Sequence, residues 1–281
     1  MRRARRPRVR AVVVRRVVMT LGVAALVAAV AAVVGGIGSG GAARRAAEPA
    51  SQLALALPAL PQSPRPAFTP HAPVLLQRSR TEARWAPVAR SAVARHSPRA
   101  DAATVTALSP TTPDGTTNIV AVLREQASAR GLWALVRLPV LPNGSVGWVP
   151  RSALGGYGFT RTRLFIDRAH FDATLFRNGR VIFRAPVGVG KLDSPTPPGE
   201  FYIRERLTTL ESPFYGPIAF GTNARSEQLT DWPGGGFIGI HGTNEPELLP
   251  GRVSHGCVRL RNDDLLRLAR LLPVGTPVTI R

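Results

Sequence analysis

A single cysteine, Cys257, serves the whole 281-residue chain. No intramolecular disulfide can form and no cysteine cluster can hold zinc, so a stable body has to be held by a hydrophobic core. The composition permits one: 44% of the residues are hydrophobic and 19% charged, which is too apolar for a wholly disordered chain. The length allows one or two domains. The formal charge of +20 points at first to nucleic acid, but its distribution argues against that partner. Residues 160–281 carry 16 basic and 12 acidic side chains, whereas the upstream part carries 21 and 5. Arginine supplies nearly all of the positive charge, since Lys191 is the only lysine.

The front of the chain reads as a membrane address. Residues 1–16 hold eight arginines, and no charge follows from Val17 to Ala43. Within Val17–Val34 only Thr20 is polar, and the run is close to the ~20 residues that cross a hydrocarbon core as a helix. The arginine block would stay cytoplasmic, which places the body outside the membrane, anchored or secreted. A retained anchor and a cleaved signal peptide both stay open. The anchor is preferred because Gly35–Gly41 offers no clean small-x-small cleavage site. Residues 44–72, rich in alanine, arginine and proline, read as an extended spacer.

Residues 73–155 carry short β-like runs, at 119–123, 132–138 and 147–149, broken by loops at Pro110–Gly115 and Pro142-Asn143-Gly144. Strands at this spacing suggest a small β-barrel. The pattern from Trp133 through the Pro-Asn-Gly turn to Gly147-Trp148 resembles a bacterial SH3-like module. Trp133 and Trp148 could stack on a glycan, although burial in the core is the more economical reading, and no catalytic constellation is visible here.

From Thr160 the pattern is mostly β with one short helix. Leu164, Ile166 and the run 171–176 lead into Asn178-Gly179, then Val181–Phe183; Asn-Gly between apolar runs is a strong hairpin signal. Further strands are expected at 201–203, 237–240 and 278–280. Asn262 is expected to cap a helix with Asp263 and Asp264 in its first turn, Leu265, Leu268 and Leu272 on one face, and Pro273 as its stop.

Two segments carry chemistry. One is Ile240-His241-Gly242-Thr243-Asn244; the other is Ser254-His255-Gly256-Cys257-Val258-Arg259-Leu260. A free thiol near its ordinary pKa of ~8.5 is mostly protonated at neutral pH, and a nearby imidazole can take its proton and hold the resulting ion pair. A glycine-bearing turn lets backbone N–H groups face a developing oxyanion. Spacing leaves open which histidine is the base: His255 is two positions from the cysteine, and His241 is remote but at a strand exit. A zinc site from His241, His255 and Cys257 fits no ligand spacing of a metal motif, so no metal or cofactor is expected. His71, His96 and His170 lack partners in sequence, and Glu245 and Glu247 read as loop solvation.

The paired segments resemble the signature of the L,D-transpeptidases with a YkuD-type catalytic domain, and Val187–Lys191 with Ser194–Phe201 is similar to a second stretch of that family. The resemblance covers residues 160–281. It implies a C-terminal β-sandwich with a short helix, preceded by the small SH3-like domain and a transmembrane helix. It further implies Cys257 as nucleophile, His241 as proton acceptor and donor, and the Gly242 carbonyl as the group orienting its ring. Ser254, His255, Gly256 and Arg259 would form the oxyanion and substrate-binding surroundings, with donors around Gly256 and Cys257. Leu249-Pro250-Gly251 departs from the family pattern, which puts the behaviour of the intervening loop in question but not the nucleophile. The implied activity is transfer of an acyl group from a peptidoglycan stem tetrapeptide to a second stem through a cysteine thioester. Water as acceptor would make a carboxypeptidase instead, and a fold that only recognises peptidoglycan would be a non-catalytic binding protein.

Overall fold

Residues 82–281, apart from 130, 209–211 and 230–235, are described by the structure, a computed structural model. The basic terminus, the spanning segment 17–43, the spacer 44–72 and the first residues of the small domain lie outside the described residues. Among the described residues no helix is long and apolar enough to cross a membrane.

The upstream part forms an antiparallel sheet of seven strands: β1 (Ala83–Pro87), β2 (Ala92–Arg95), β3 (Thr104–Leu108), β4 (Ile119–Ser128), β5 (Gly131–Arg137), β6 (Val146–Pro150) and β7 (Gly158–Thr160), in the order β3-β2-β6-β5-β4-β1-β7. The three runs expected from the sequence fall on β4, β5 and β6, with Leu138 just past the end of β5. Alternation places Val120, Val122, Ala134, Val136 and Val149 in its core. Trp133 and Trp148 are both buried. Because β7 pairs with β1, this sheet extends to Thr160, beyond the expected boundary at 155.

The second sheet has ten strands: β8 (Thr162–Asp167), β9 (Asp172–Arg177), β10 (Arg180–Pro186), β11 (Gly188–Gly190), β12 (Gly199–Leu207), β13 (Ala219–Arg225), β14 (Phe237–His241), β15 (Gly251–Ser254), β16 (Val258–Arg259) and β17 (Pro277–Ile280). Their order is β10-β9-β8-β17-β12-β13-β14-β16-β11-β15. The Asn178-Gly179 turn between β9 and β10 has φ of 52° and 78°, the left-handed pair that a two-residue hairpin requires. Strand β12 joins two halves: residues 199–202 pair with β17, and residues 203–207 pair with β13. Leu164, Leu175 and Phe183 from one half share a core with Phe220, Ile240 and Val258 from the other, giving a sandwich-like arrangement.

The single helix α1 (Asn262–Ala269) turns Leu265 and Leu268 into that core, with Leu272 buried just beyond. Its start corrects the sequence reading. Arg261, with extended φ and ψ, occupies the cap position and makes no capping hydrogen bond. Asn262 is already helical, and its Oδ1 accepts the Thr243 N–H at 3.0 Å.

Polar groups fasten the two sheets together. The Tyr202 hydroxyl donates to the Ile119 carbonyl at 3.0 Å, and Asn223 donates to the Leu138 carbonyl at 3.3 Å while accepting from the Tyr202 N–H. Glu205 accepts from the hydroxyls of Thr112 (2.8 Å) and Thr116 (2.5 Å) and pairs with Arg204 at 2.6 Å. Both charged side chains are only 2% exposed. Adjacent residues of a strand normally face opposite ways, but a register shift between Ile203 and Glu205 breaks that alternation here. Burial pushes the Glu205 carboxyl up, yet Arg204 and the two hydroxyls outweigh it and hold the group below its ordinary value. Its stabilising contribution is therefore complete above about pH 4.5 and is lost as pH falls through the lowered folded value. Glu205→Gln, which leaves Arg204 buried without a counter-charge, is expected to cost about 3 kcal/mol in urea unfolding at neutral pH and to flatten the acid limb of stability. An unchanged midpoint would contradict this account of the seam.

Candidate active site

Strands β14 and β16 run parallel, pairing Ile240 with Val258 and His241 with Arg259. That register sets the two sequence segments side by side and leaves Cys257 opposite Gly239. The Gly239 N–H points at Cys257 Sγ from 3.3 Å. A Cβ built on Gly239 would lie 3.8 Å from the sulfur and 3.8 Å from His241 Cδ2, the ring carbon bonded to Nε2. Sulfur and imidazole thus border one point in one pocket.

His241 is buried, and its Nδ1 lies 2.7 Å from the Gly242 carbonyl. A carbonyl accepts only, so Nδ1 carries the hydrogen and Nε2 keeps its lone pair. Burial lowers the imidazole to about 4, the Gly242 carbonyl opposes this, and the Arg259 charge adds to the lowering. Burial pushes the Cys257 thiol up, against the smaller downward pulls of the Gly239 N–H and Arg259. Both directions favour a neutral thiol beside a neutral imidazole. The cause is that desolvation penalises both charged forms more than the surroundings compensate.

The turn that carries the sulfur is braced from behind. Ser254 Oγ donates to the Cys257 carbonyl at 2.6 Å and accepts the Gly256 N–H at 3.1 Å. Gly256 sits at φ +121°, a conformation that side chains rarely adopt. Its carbonyl accepts from Thr196 Oγ1 at 2.7 Å, which in turn accepts the Gly190 N–H. Gly190 and Thr196, one from each of the Val187–Lys191 and Ser194–Phe201 stretches, therefore back the turn. Ser254, expected around the substrate, spends its hydroxyl on this bracing.

Three backbone segments meet at Asn262. Its Oδ1 would lie 2.1 Å from a Cβ on Gly242 and 2.5 Å from one on Gly216, so neither position has room for a side chain. The Gly242 N–H donates to the Tyr215 carbonyl at 2.8 Å. Tyr215 sets its ring edge-on to His241, with centroids 5.0 Å apart, and Phe214 lies 6.0 Å away. Sequence reading passed over these two aromatics. The one available signal was Ser212-Pro213 followed by Gly216, which start and end a short 3-10 turn where Ser212 Oγ accepts the Phe214 N–H.

Arg259 is buried, with its guanidinium over the Phe214 ring at 4.3 Å and paired to Glu245 at 3.5 Å. Glu245, read from sequence as loop solvation, is therefore an ion-pair partner. His255 is exposed and lines the same pocket as Cys257, His241 and Arg259. His170 lies outside it and pairs with Asp167 at 2.9 Å. Among the described residues no group of three or more His, Cys, Asp or Glu gathers as a metal site.

The raised thiol predicts a pH profile. Iodoacetamide should label Cys257 slowly at neutral pH, and the rate should still be rising above about pH 9, the region where an ordinary thiol is half ionised. A plateau already reached by about pH 7 would show a resting thiolate. Gly242→Ala, which drives a methyl into Asn262 Oδ1, is expected to lower the melting temperature and displace the His241 ring, read as a changed imidazole titration.

Residues 161–280 match the family model of the YkuD L,D-transpeptidase catalytic domain. A Bacillus subtilis protein named as an L,D-transpeptidase, YkuD, is 39% identical over 107 residues, covering 38% of this chain and 58% of that protein. The ErfK/SrfK protein of Salmonella typhimurium, also named as an L,D-transpeptidase, is 35% identical over 116 residues, covering 34% of this chain and 36% of its own. The chain thus spans less than two thirds of the length of these relatives. A crystal structure of an Enterococcus faecium L,D-transpeptidase mutant aligns with a TM-score of 0.34 at 23% identity, covering 43% of this chain and 49% of that one. Residues 161–280 are thus similar to the YkuD-type L,D-transpeptidase catalytic domains.

Proposed function

We propose that the protein is a peptidoglycan L,D-transpeptidase working through a thioester on Cys257. One observation carries this reading: a lone sulfur shares a pocket with an imidazole whose Nδ1 is committed to the Gly242 carbonyl. An imidazole so oriented keeps Nε2 free to receive the thiol proton, and a buried, weakly basic ring returns it readily.

In the first step the Cys257 proton passes to His241 Nε2 as the sulfur adds to the carbonyl of a diamino-acid residue in a stem tetrapeptide. The tetrahedral oxyanion needs donors. The Gly256 N–H is already given to Ser254, whereas the Cys257 N–H has no acceptor among the described residues, so the expected pair of donors narrows to Cys257 with neighbouring groups. Collapse breaks the bond to the terminal D-alanine, whose amine leaves with the proton from His241, and the thioester remains. In the second step a side-chain amine of another stem attacks the thioester and gives its proton to His241. That proton returns to sulfur as the new amide forms and Cys257 is released. His255, on the pocket rim, would contact the peptide. Arg259 sets the field at the site and faces the substrate side through Phe214 and Glu245.

The arginine block and apolar run at residues 1–43 support an anchored or exported chain acting at the cell wall. The upstream seven-stranded sheet would be its SH3-like companion.

Full-length protein incubated with a stem tetrapeptide should gain the mass of a tripeptide acyl group, seen by intact mass spectrometry. Cys257→Ala should gain none, and His241→Gln should acylate about 10²–10⁴-fold more slowly. Acylation of Cys257→Ala at the normal rate would overturn the assignment.

A further inference from the structure

The Pro142-Asn143-Gly144 turn has no part in the chemistry above, yet it reaches across to the wall of the pocket. Pro142 and Gly144 are exposed, while Asn143 is half-buried. Its Nδ2 donates to the Arg225 carbonyl at 2.7 Å, and its Oδ1 accepts the Arg225 N–H at 2.9 Å. One side chain of the upstream sheet thus takes both backbone groups of the last residue of β13, as a neighbouring strand would.

Arg225 is joined directly to the pocket. It pairs in register with Phe237, the first residue of β14, and its guanidinium lies 4.7 Å from the Phe237 ring centroid. Arg204 covers the same ring at 4.0 Å. The next residue, Ser226, donates its N–H to the Gly236 carbonyl at 2.8 Å. Ser226, Gly236 and Phe237 all line the pocket that holds Cys257 and His241. The catalytic pair itself is held by other contacts: Gly239 on the sulfur, Gly242 and Tyr215 on the ring.

We propose that Asn143 is a positioning residue: by clamping Arg225 it fixes the wall formed by Ser226, Gly236 and Phe237, so that the upstream sheet sets how tightly the acyl donor is held without touching the reacting atoms. The proposal rests on the transpeptidase reading for the identity of that donor. Two separately held parts should give separable kinetics. Loosening the wall weakens donor binding, while the bound donor still meets an intact sulfur and imidazole.

The test compares full-length wild type, Asn143→Ala and Tyr202→Phe. The last removes a different bond across the same seam, Tyr202 to Ile119, away from the pocket wall. Loss of two hydrogen bonds predicts a KM for the stem tetrapeptide about tenfold higher in Asn143→Ala, with kcat changed less than about twofold. Tyr202→Phe should lower the melting temperature and leave KM alone. A second readout is independent of the reaction: the ratio of Cys257 labelling rates by N-phenylmaleimide and by iodoacetamide. This ratio reports the wall, because the aryl reagent is the bulkier of the two, and Cys257 is the sole cysteine. Asn143→Ala should shift the ratio severalfold and Tyr202→Phe should not. An unchanged KM and ratio in Asn143→Ala, or equal changes in both variants, would overturn the proposal. Should wild type form no acyl-enzyme, the transpeptidase reading fails by itself, and the labelling ratio still decides whether Asn143 holds the wall.

Discussion

The carboxamide oxygen of Asn262 is the point on which the site turns. It accepts the Thr243 N–H and fills the space that side chains on Gly216 and Gly242 would occupy. The Tyr215–Gly216 turn, the exit of β14 and the start of α1 are thereby closed onto one another. Gly242 is then placed so that its N–H meets Tyr215 and its carbonyl meets His241 Nδ1. With the ring held by one nitrogen and bordered by Tyr215, the other nitrogen has a fixed direction. A proton acceptor that need not reorganise when charge moves is what catalysis by proton transfer requires.

The resting charges follow from the same enclosure. Burial disfavours imidazolium and thiolate alike, and Arg259, although it favours the thiolate, also disfavours a second positive charge beside it. Both shifts favour a neutral pair, and in the proposed mechanism the thiolate would form as the sulfur attacks. The turn under the sulfur is rigid for a related reason. Ser254, Thr196 and Gly190 pass hydrogen bonds along its rear, so the groups facing the pocket are those not consumed by the brace.

Much of this was legible in the sequence, and the failures have physical causes. Asn178-Gly179 announced its hairpin because the turn needs positive φ at both residues, a purely local demand. Leu265, Leu268 and Leu272 announced a helix face by their spacing. Asn262 was misread because asparagine before an apolar run is an ordinary helix start, and nothing local tells that its side chain is required by Gly216 and Gly242, each distant in the chain. Arg204 and Glu205 could not be read as a buried pair, since neighbours on a regular strand point apart and only the shift in register buries both. Spacing left both His241 and His255 open as the partner of Cys257, with only the family resemblance choosing between them, and the charge state was not readable because desolvation belongs to the folded surroundings. Phe214 and Tyr215 carry no periodicity within so short a turn. Asn143 looked like turn chemistry alone until the fold brought Arg225 to it.

The protonation of His241 tests the central claim most directly. Nitrogen-15 NMR of the ring in the resting protein at about pH 6 should show hydrogen on Nδ1 and a bare Nε2, because the group titrates near 4. Hydrogen on both ring nitrogens at that pH, with Cys257 ionised, would contradict the neutral pair and the mechanism built on it.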